Sequence, residues 1–297
     1  MTNKLFISTS CYNGTQKLYD IIKIFLEHKI FNIELSGKHD FLEYSQIKKI
    51  IKNEKAKFLL HNYFPVPKKP IVLNLISKNK KNTVEAKKII YNAMKLANET
   101  DIDVYGFHPG YLSETKIKAN GHFEFYKKKN YSSNQGLKEF KKIFENFYKK
   151  KIKNLNKKTW IGLENLFPEP TGQINSIFCD FEEIDYILGQ KFINENKVFF
   201  LLDLGHLGIS ANLLKFDRFK FLEKILKKYS HKIIEIHISE NDDIFDSHSR
   251  ISRTSWQLDA VKFLKKKIKN KVYFTYESRE LNIEEIIEDK IFLEKII

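Results

Sequence analysis

Phe199-Phe200-Leu201-Leu202-Asp203-Leu204-Gly205-His206 is a run of large apolar residues that ends abruptly in aspartate, glycine and histidine. Its apolar part has the length of a strand buried on both faces, the kind found in parallel sheets. The polar residues fall where such a strand emerges from the sheet. An Asp and a His three positions apart, beside a Gly that lets the backbone turn, can bind a metal or contact a substrate. The stretch gains its weight from recurrence, because nearly every strand-like segment of the chain ends in the same way.

Downstream, Ile233-Ile234-Glu235-Ile236-His237 reads as the next strand, and Val272-Tyr273-Phe274-Thr275-Tyr276, ending in Glu277, as the last. Upstream lie Trp160-Ile161-Gly162-Leu163-Glu164, then Val104-Tyr105-Gly106-Phe107 before His108, and Phe58-Leu59-Leu60 before His61. Asn32-Ile33-Glu34-Leu35 and Leu5-Phe6-Ile7-Ser8-Thr9 complete the set. Between them apolar residues recur at helical spacing over 18–26, 42–51, about 83–99, 135–153, 181–188, 219–229, around Leu258 and Val261, and over 283–297. Eight strands alternating with eight helices predict a parallel sheet, and the count predicts closure into a (β/α)₈ TIM barrel, a single domain spanning 1–297. An open doubly wound sheet is the rival, but no glycine-rich dinucleotide fingerprint follows the first strand. The long stretch 111–133 after strand four contains Asn120-Gly121, a two-residue hairpin signal. It is expected to be a hairpin insertion serving as a lid or an interface.

Hydrophobic residues at 42% and charged residues at 30% fit a soluble globular protein. No apolar run approaches the roughly 18 residues of a membrane span, so no membrane partner is expected. The N-terminus lacks the apolar segment of a signal peptide. With Cys11 and Cys179 the only cysteines, a cytoplasmic location is the expectation. The net charge of +15 invites a nucleic-acid reading, yet the only arginines are Arg218, Arg250, Arg253 and Arg279. Phosphate and base readers favour the guanidinium. Lysine runs such as Lys127-Lys128-Lys129 read better as solvated helix and loop faces.

In a barrel, the C-terminal ends of the strands converge on one mouth. Those ends present Glu34, His61, His108, Glu164, Asp203 with His206, His237 and Glu277, and the loop after strand seven adds Asp246 and His248. Any one of them alone reads most simply as a hydrogen-bonded structural residue. Together, carboxylates and imidazoles aimed at one point are costly unless a positive charge sits among them. Mixed Asp, Glu and His ligands suit Zn²⁺, Mn²⁺, Fe²⁺ or Co²⁺, and the lack of clustered thiolates argues against a structural zinc site.

The stretches Leu60-His61-Asn62, Phe107-His108-Pro109-Gly110, Leu163-Glu164-Asn165, Leu202-Asp203-Leu204-Gly205-His206, Ile236-His237-Ile238-Ser239, Asp246-Ser247-His248 and Tyr276-Glu277-Ser278 resemble the xylose-isomerase-like TIM barrels, a superfamily that includes endonuclease IV. The resemblance implies a divalent metal, Mn²⁺, Zn²⁺, Co²⁺ or Mg²⁺, with one ion expected and up to three accommodated. In the ketose epimerases and related isomerases, the counterparts of Glu164, Asp203, His237 and Glu277 hold one ion. The two glutamates double there as the acid/base pair, working through an enediolate. His206 would then contact the sugar, with His61 and His108 lining the mouth.

The endonuclease IV pattern implies three zinc ions instead. One would sit on His61, His108 and Glu164. A second would share Glu164 and add Asp203, His237 and Glu277, and a third would use His206, Asp246 and His248. That alternative makes the chain a phosphodiesterase acting on abasic DNA, the only case in which nucleic acid is a partner. Leu204-Gly205 before His206 is similar to the sugar enzymes, whereas endonuclease IV typically has Thr-Cys there. Leu166-Phe167 after Glu164-Asn165 also departs from the nuclease pattern. An Asp-x-His after strand seven is widespread among sugar isomerases and does not choose between the two.

The expected function is therefore isomerisation or epimerisation of a sugar or sugar phosphate, with Glu164 and Glu277 catalytic and His206, Glu34, Arg250 and Arg253 as substrate contacts. The two arginines stand in Ser249-Arg250-Ile251-Ser252-Arg253-Thr254-Ser255-Trp256, where many relatives have a glycine-rich turn. Two readings of this loop are open: a grip on a substrate phosphate or carboxylate, or a polar loop packed by Trp256.

Overall fold

In the computed structural model, which describes residues 4–117, 123–155, 158–171 and 173–297, the strands are β1 (Lys4–Ser8), β2 (Asn32–Leu35), β3 (Lys57–His61), β4 (Val104–Phe107), β5 (Ser113–Ile117), β6 (Phe123–Lys129), β7 (Trp160–Glu164), β8 (Val198–Asp203), β9 (Ile233–Ile238) and β10 (Tyr273–Tyr276). Eight of them close into a parallel barrel in the order β1-β2-β3-β4-β7-β8-β9-β10, with β10 returning to β1. β5 and β6 form a separate antiparallel pair, the expected insertion after the fourth barrel strand. Its Asn120-Gly121 turn lies outside the described residues.

Strand alternation sorts the side chains into layers. Phe6, Leu59, Val104, Ile234 and Tyr273, with Trp160 and Phe199 against them, plug the barrel floor. The next layer is built around Leu201. Gly106 and Gly162 make room for it, since a Cβ on Gly106 would lie 2.3 Å from Leu201 Cδ1. One step further along the strands stand His61, Glu164, Asp203 and His237, all buried. The intervening residues Leu60, Phe107, Ile161, Leu163, Phe200, Leu202 and Phe274 face outward into the main apolar core with the helices. Two-faced burial is why the strands read as nearly continuous apolar runs.

The helices are α1 (Leu18–Glu27), α2 (Tyr44–Asn53), α3 (Lys80–Thr100), α4 (Ser133–Phe147), α5 (Phe181–Leu188), α6 (Lys191–Asn194), α7 (Leu204–Leu214), α8 (Arg218–Tyr229), α9 (Trp256–Lys267) and α10 (Ile283–Glu294). Asn79, Ser132, Asp180, Asp217 and Asn282 cap helix N-termini through side-chain oxygens. The turn α6 and the helix α7 stand beyond the eight helices expected from periodicity. α7 begins directly after β8 with Asp203 as its N-cap and is buried continuously from Leu204 to Ala211. A helix enclosed on every side carries no amphipathic period to read. No helix among the described residues is long and apolar enough to cross a membrane.

Candidate metal centre

The strand ends and the loops that follow deliver the titratable side chains to one place. Asp203 is set by two devices. Its backbone N–H donates to Asn165 Oδ1 at 2.8 Å while Asn165 Nδ2 donates to the Asp203 carbonyl at 2.9 Å. Its side chain accepts the His206 N–H at 2.6 Å, so the cap of α7 fixes both residues. His248 stands in the left-handed backbone region, φ 47°, which turns the loop after β9 back over the mouth.

Among the described residues four groups result, each with one ligand-capable atom per residue and these atoms within 4.8 Å of one another: His61, His108 and Glu164; Glu164, Asp203 and His237; His206, Asp246 and His248; and Glu34, His61 and His237. In the first, His61 Nε2 donates to Glu164 Oε2 at 2.7 Å and His108 Nε2 lies 3.2 Å from the same oxygen. In the second, His237 Nδ1 is 3.8 Å from Asp203 Oδ2 and 2.9 Å from Glu277 Oε2. Glu277 also reaches His61 Nδ1 at 3.5 Å. In the third, Asp246 lies 3.5 Å from His206 Nε2 and 2.9 Å from His248 Nε2. The Nδ1–H groups of His206 and His248 donate to the carbonyls of Asn165 and Glu277, both at 2.8 Å. That leaves their Nε2 atoms facing the cluster, the arrangement by which proteins orient metal-binding imidazoles.

Burial penalises the charge on Glu164, Glu277, Asp246, Asp203, Glu34, His61, His206 and His237, and for most of them attraction to their neighbours outweighs it. Burial would raise Glu164, but His108 and His61 hold it well below the usual carboxylate range. Glu277 is depressed against its burial by His61 and His237, and Asp246 by His248 and His206. The imidazoles respond in kind. Burial would lower His61, yet Glu164 and Glu277 lift it well above its ordinary value, and His206 and His237 are lifted by their own carboxylates. Asp203 and Glu34, where burial prevails, are raised. In this state protons on the imidazoles supply the positive charge that the carboxylates require.

Those protons leave the cluster incompletely satisfied. Glu164 Oε1, Asp203 Oδ2, Asp246 Oδ1, Glu277 Oε2 and both ring nitrogens of His237 are buried without a hydrogen bond. Orphaned buried oxygens and nitrogens that face one another fit a divalent cation, which would replace the protons. The donors are imidazole and carboxylate. Cys11 and Cys179 are buried free thiols in none of the groups. The residues present thus suit Zn²⁺, Mn²⁺ or Co²⁺.

Three of the expected substrate contacts have partners of their own. Arg250 and Arg253 do not reach the cluster. Arg250 Nε donates to Asp289 at 2.9 Å and its terminal nitrogens reach Glu288 and Glu285, while Arg253 pairs with Asp289 at 3.2 Å and lies over the Phe292 ring. Both side chains clamp the loop to α10, because the buried Asp289 carboxylate needs a cationic partner. The polar-loop reading of this stretch is the one the structure supports. Glu34 is fully buried, with Oε2 3.0 Å from His237 Nε2, and it groups with His61 and His237. Residues that the sequence did not single out also shape the site. The Tyr111 hydroxyl bonds His108 Nδ1 at 2.9 Å, and the Phe167 ring lies 4.8 Å from that of His206. Arg279 approaches Asp246 at 3.8 Å. A tyrosine three residues after a strand-end histidine was the only available signal among these.

The sequence profile of a family described as the xylose isomerase-like TIM barrel matches residues 19–285. No curated protein matches the sequence. Among solved structures, the chain is similar to a D-tagatose 3-epimerase-like protein, with 19% identity and a TM-score of 0.72 over 99% of this chain and 96% of that one. It is similar to a 3-keto-D-glucoside 4-epimerase from E. coli, with 12% identity and a TM-score of 0.67 over the whole of both chains. A further similar structure is the IolI protein with a bound zinc atom, at 14% identity and a TM-score of 0.66 over 98% of this chain and 95% of that one. At these identities the likeness establishes a shared fold.

Proposed function

The chain belongs to the xylose isomerase-like TIM barrel family, and from that premise we propose that it is a divalent-metal-dependent isomerase or epimerase of a sugar or sugar phosphate. One observation carries the proposal. Glu164 and Glu277 approach the same imidazole, that of His61, from its two nitrogens. His61 thus lies between two buried carboxylates at the strand ends. A carboxylate on one side of a bound ketose removes a carbon-bound proton, and its counterpart returns one from the other side. Glu164, Asp203, His237 and Glu277 would hold the metal, whose Lewis acidity stabilises the enediolate that proton removal creates. His206, held by the Asn165 carbonyl and flanked by Phe167, would contact the sugar. The similarity to structures described as sugar epimerases supports this reading. We place the chain as one domain over 1–297, in the cytoplasm, where its two thiols stay reduced.

Glu164→Gln and Glu277→Gln keep the shape of each side chain and remove its basicity. Each is expected to lower turnover of a sugar substrate by roughly 10²–10⁴-fold with folding preserved. Intact turnover in either variant overturns the assignment.

A second reading rests on the third group. His206, Asp246 and His248 form a complete ligand trio beside the two groups that contain Glu164, which favours a trinuclear centre and hydrolysis of a phosphodiester in abasic DNA. Chelator-sensitive incision of an abasic duplex, with three ions per chain, would select it over the isomerase.

A further inference from the structure

We infer that Glu235, together with Glu34, is a positioning pair that holds His237 with Nδ1 toward the metal and Nε2 toward the barrel interior. The inference rests on the metal-dependent reading of the mouth. His237 is oriented opposite to His206 and His248. Those two turn Nε2 to the cluster and anchor Nδ1 on backbone carbonyls. His237 instead presents Nδ1 to Glu277 and Asp203, at 2.9 and 3.8 Å. Its Nε2 points down the barrel, 3.0 Å from Glu34 Oε2 and 3.4 Å from Glu235 Oε1. A neutral imidazole carries one N–H and one lone pair. The approaches of Nε2 to Glu34 and Glu235 are close but lack hydrogen-bond geometry, and a proton placed on Nε2 between the two carboxylates would leave the lone pair on Nδ1, where the other ligands converge. A carboxylate on the far nitrogen of a metal-binding histidine fixes its tautomer and raises its basicity.

Glu235 is itself held in place. Thr275 Oγ1 donates to Glu235 Oε1 at 2.5 Å, and Thr275 stands opposite His237 in the pairing of β9 with β10. Glu34, Glu235, His237 and Thr275 are all fully buried. The β8–β9 register shifts between Phe200 and Leu201, whose partners are Ile233 and Glu235. Such irregularities re-aim side chains beside active sites, and here the one so placed is Glu235.

The test is competition for Zn²⁺ and Co²⁺ against a chromophoric chelator, with the wild type and Glu235→Gln, Glu235→Ala, Glu34→Gln and Thr275→Val. The thermal melting of each metal-free protein serves as the folding control. Glu235→Ala is expected to bind metal 10- to 100-fold more weakly at unchanged stoichiometry, and the visible spectrum of its Co²⁺ form is expected to shift. Glu235→Gln, which keeps an acceptor for Nε2–H without the charge, should fall between it and the wild type. Thr275→Val, which frees Glu235 without removing it, should weaken binding several-fold and serves if the Glu235 variants fail to fold. Folded variants that bind within twofold of the wild type with an unchanged spectrum overturn the inference and leave the isomerase reading standing. Loss of one whole metal equivalent in Glu34→Gln overturns the pairing by making Glu34 a ligand. A wild type that binds no metal overturns both readings together.

Discussion

Glu183 sits in the first turn of α5, buried, with its carboxylate accepting the Cys179 N–H at 3.0 Å. Burial, reinforced by the neighbouring Asp180, pushes its pKa from the ordinary 4.5 up to about 7 against the pull of that N–H. Between these two values the folded chain binds a proton that the unfolded chain has released. Stability contributed by the neutral carboxyl is complete below pH 4.5 and is lost as pH rises through about 7. At about 1.4 kcal/mol per pH unit, the loss across this window is about 3 kcal/mol. Glu183→Gln keeps a polar side chain of the same shape that does not titrate. Urea unfolding of both proteins at pH 4.5, 6 and 8 isolates the effect, because every other titrating group cancels in the difference. The variant should gain about 3 kcal/mol on the wild type between the lowest and highest pH. A difference that stays constant across the series refutes the reasoning, since the carboxyl would then titrate normally in the folded chain.

His39 tests the opposite sign. Burial lowers its pKa to about 4, so its contribution is intact above pH 6.5 and lost as pH falls toward 4. Wild type and His39→Asn should converge by about 3 kcal/mol on acidification, and parallel pH profiles would contradict this. Gly106→Ala drives a methyl to 2.3 Å from Leu201 Cδ1 and should cost about 1–3 kcal/mol in denaturant unfolding. Combining it with Leu201→Ala should recover part of that overpacking cost; simple additivity of the two losses would show that the layer is not tightly packed. Arg250→Ala strips the buried Asp289 of its closest cation, so about 2–3 kcal/mol of stability should be lost while metal affinity is unchanged. A selective rise in KM without destabilisation would return Arg250 to the substrate.

The barrel was legible because its strands are buried on both faces. Trp160–Glu164 and Val198–Asp203 alternate between the barrel interior and the helix layer, and both destinations are apolar until the last residue. The polar endings of those runs marked the mouth, and six of the ligand-capable residues fall at or just beyond a strand end: His61, His108, Glu164, Asp203, His237 and Glu277, with His206 following in the first turn of α7. What escaped reading depended on contacts remote in sequence. The partners of Arg250 lie on α10, 35 to 39 residues further on, and no local pattern announces that pairing. α7 was hidden by its complete enclosure, so that Leu204 to His206 read as the end of a strand. Glu34 stands at a strand end like the other ligand-capable residues, and its pairing with His237 is remote in sequence. Glu235 reads as the polar member of an alternating strand until the register shift beside it is known.

Proton exchange tests the central proposal most directly. The metal-loaded protein is incubated in D₂O with a panel of ketoses and ketose phosphates, and deuterium at the carbons beside the carbonyl is followed by NMR. The expected result is incorporation into at least one sugar, abolished by chelation and by Glu164→Gln or Glu277→Gln. Metal-bound protein that exchanges no carbon-bound proton in any of these sugars, yet cleaves an abasic duplex, would contradict it.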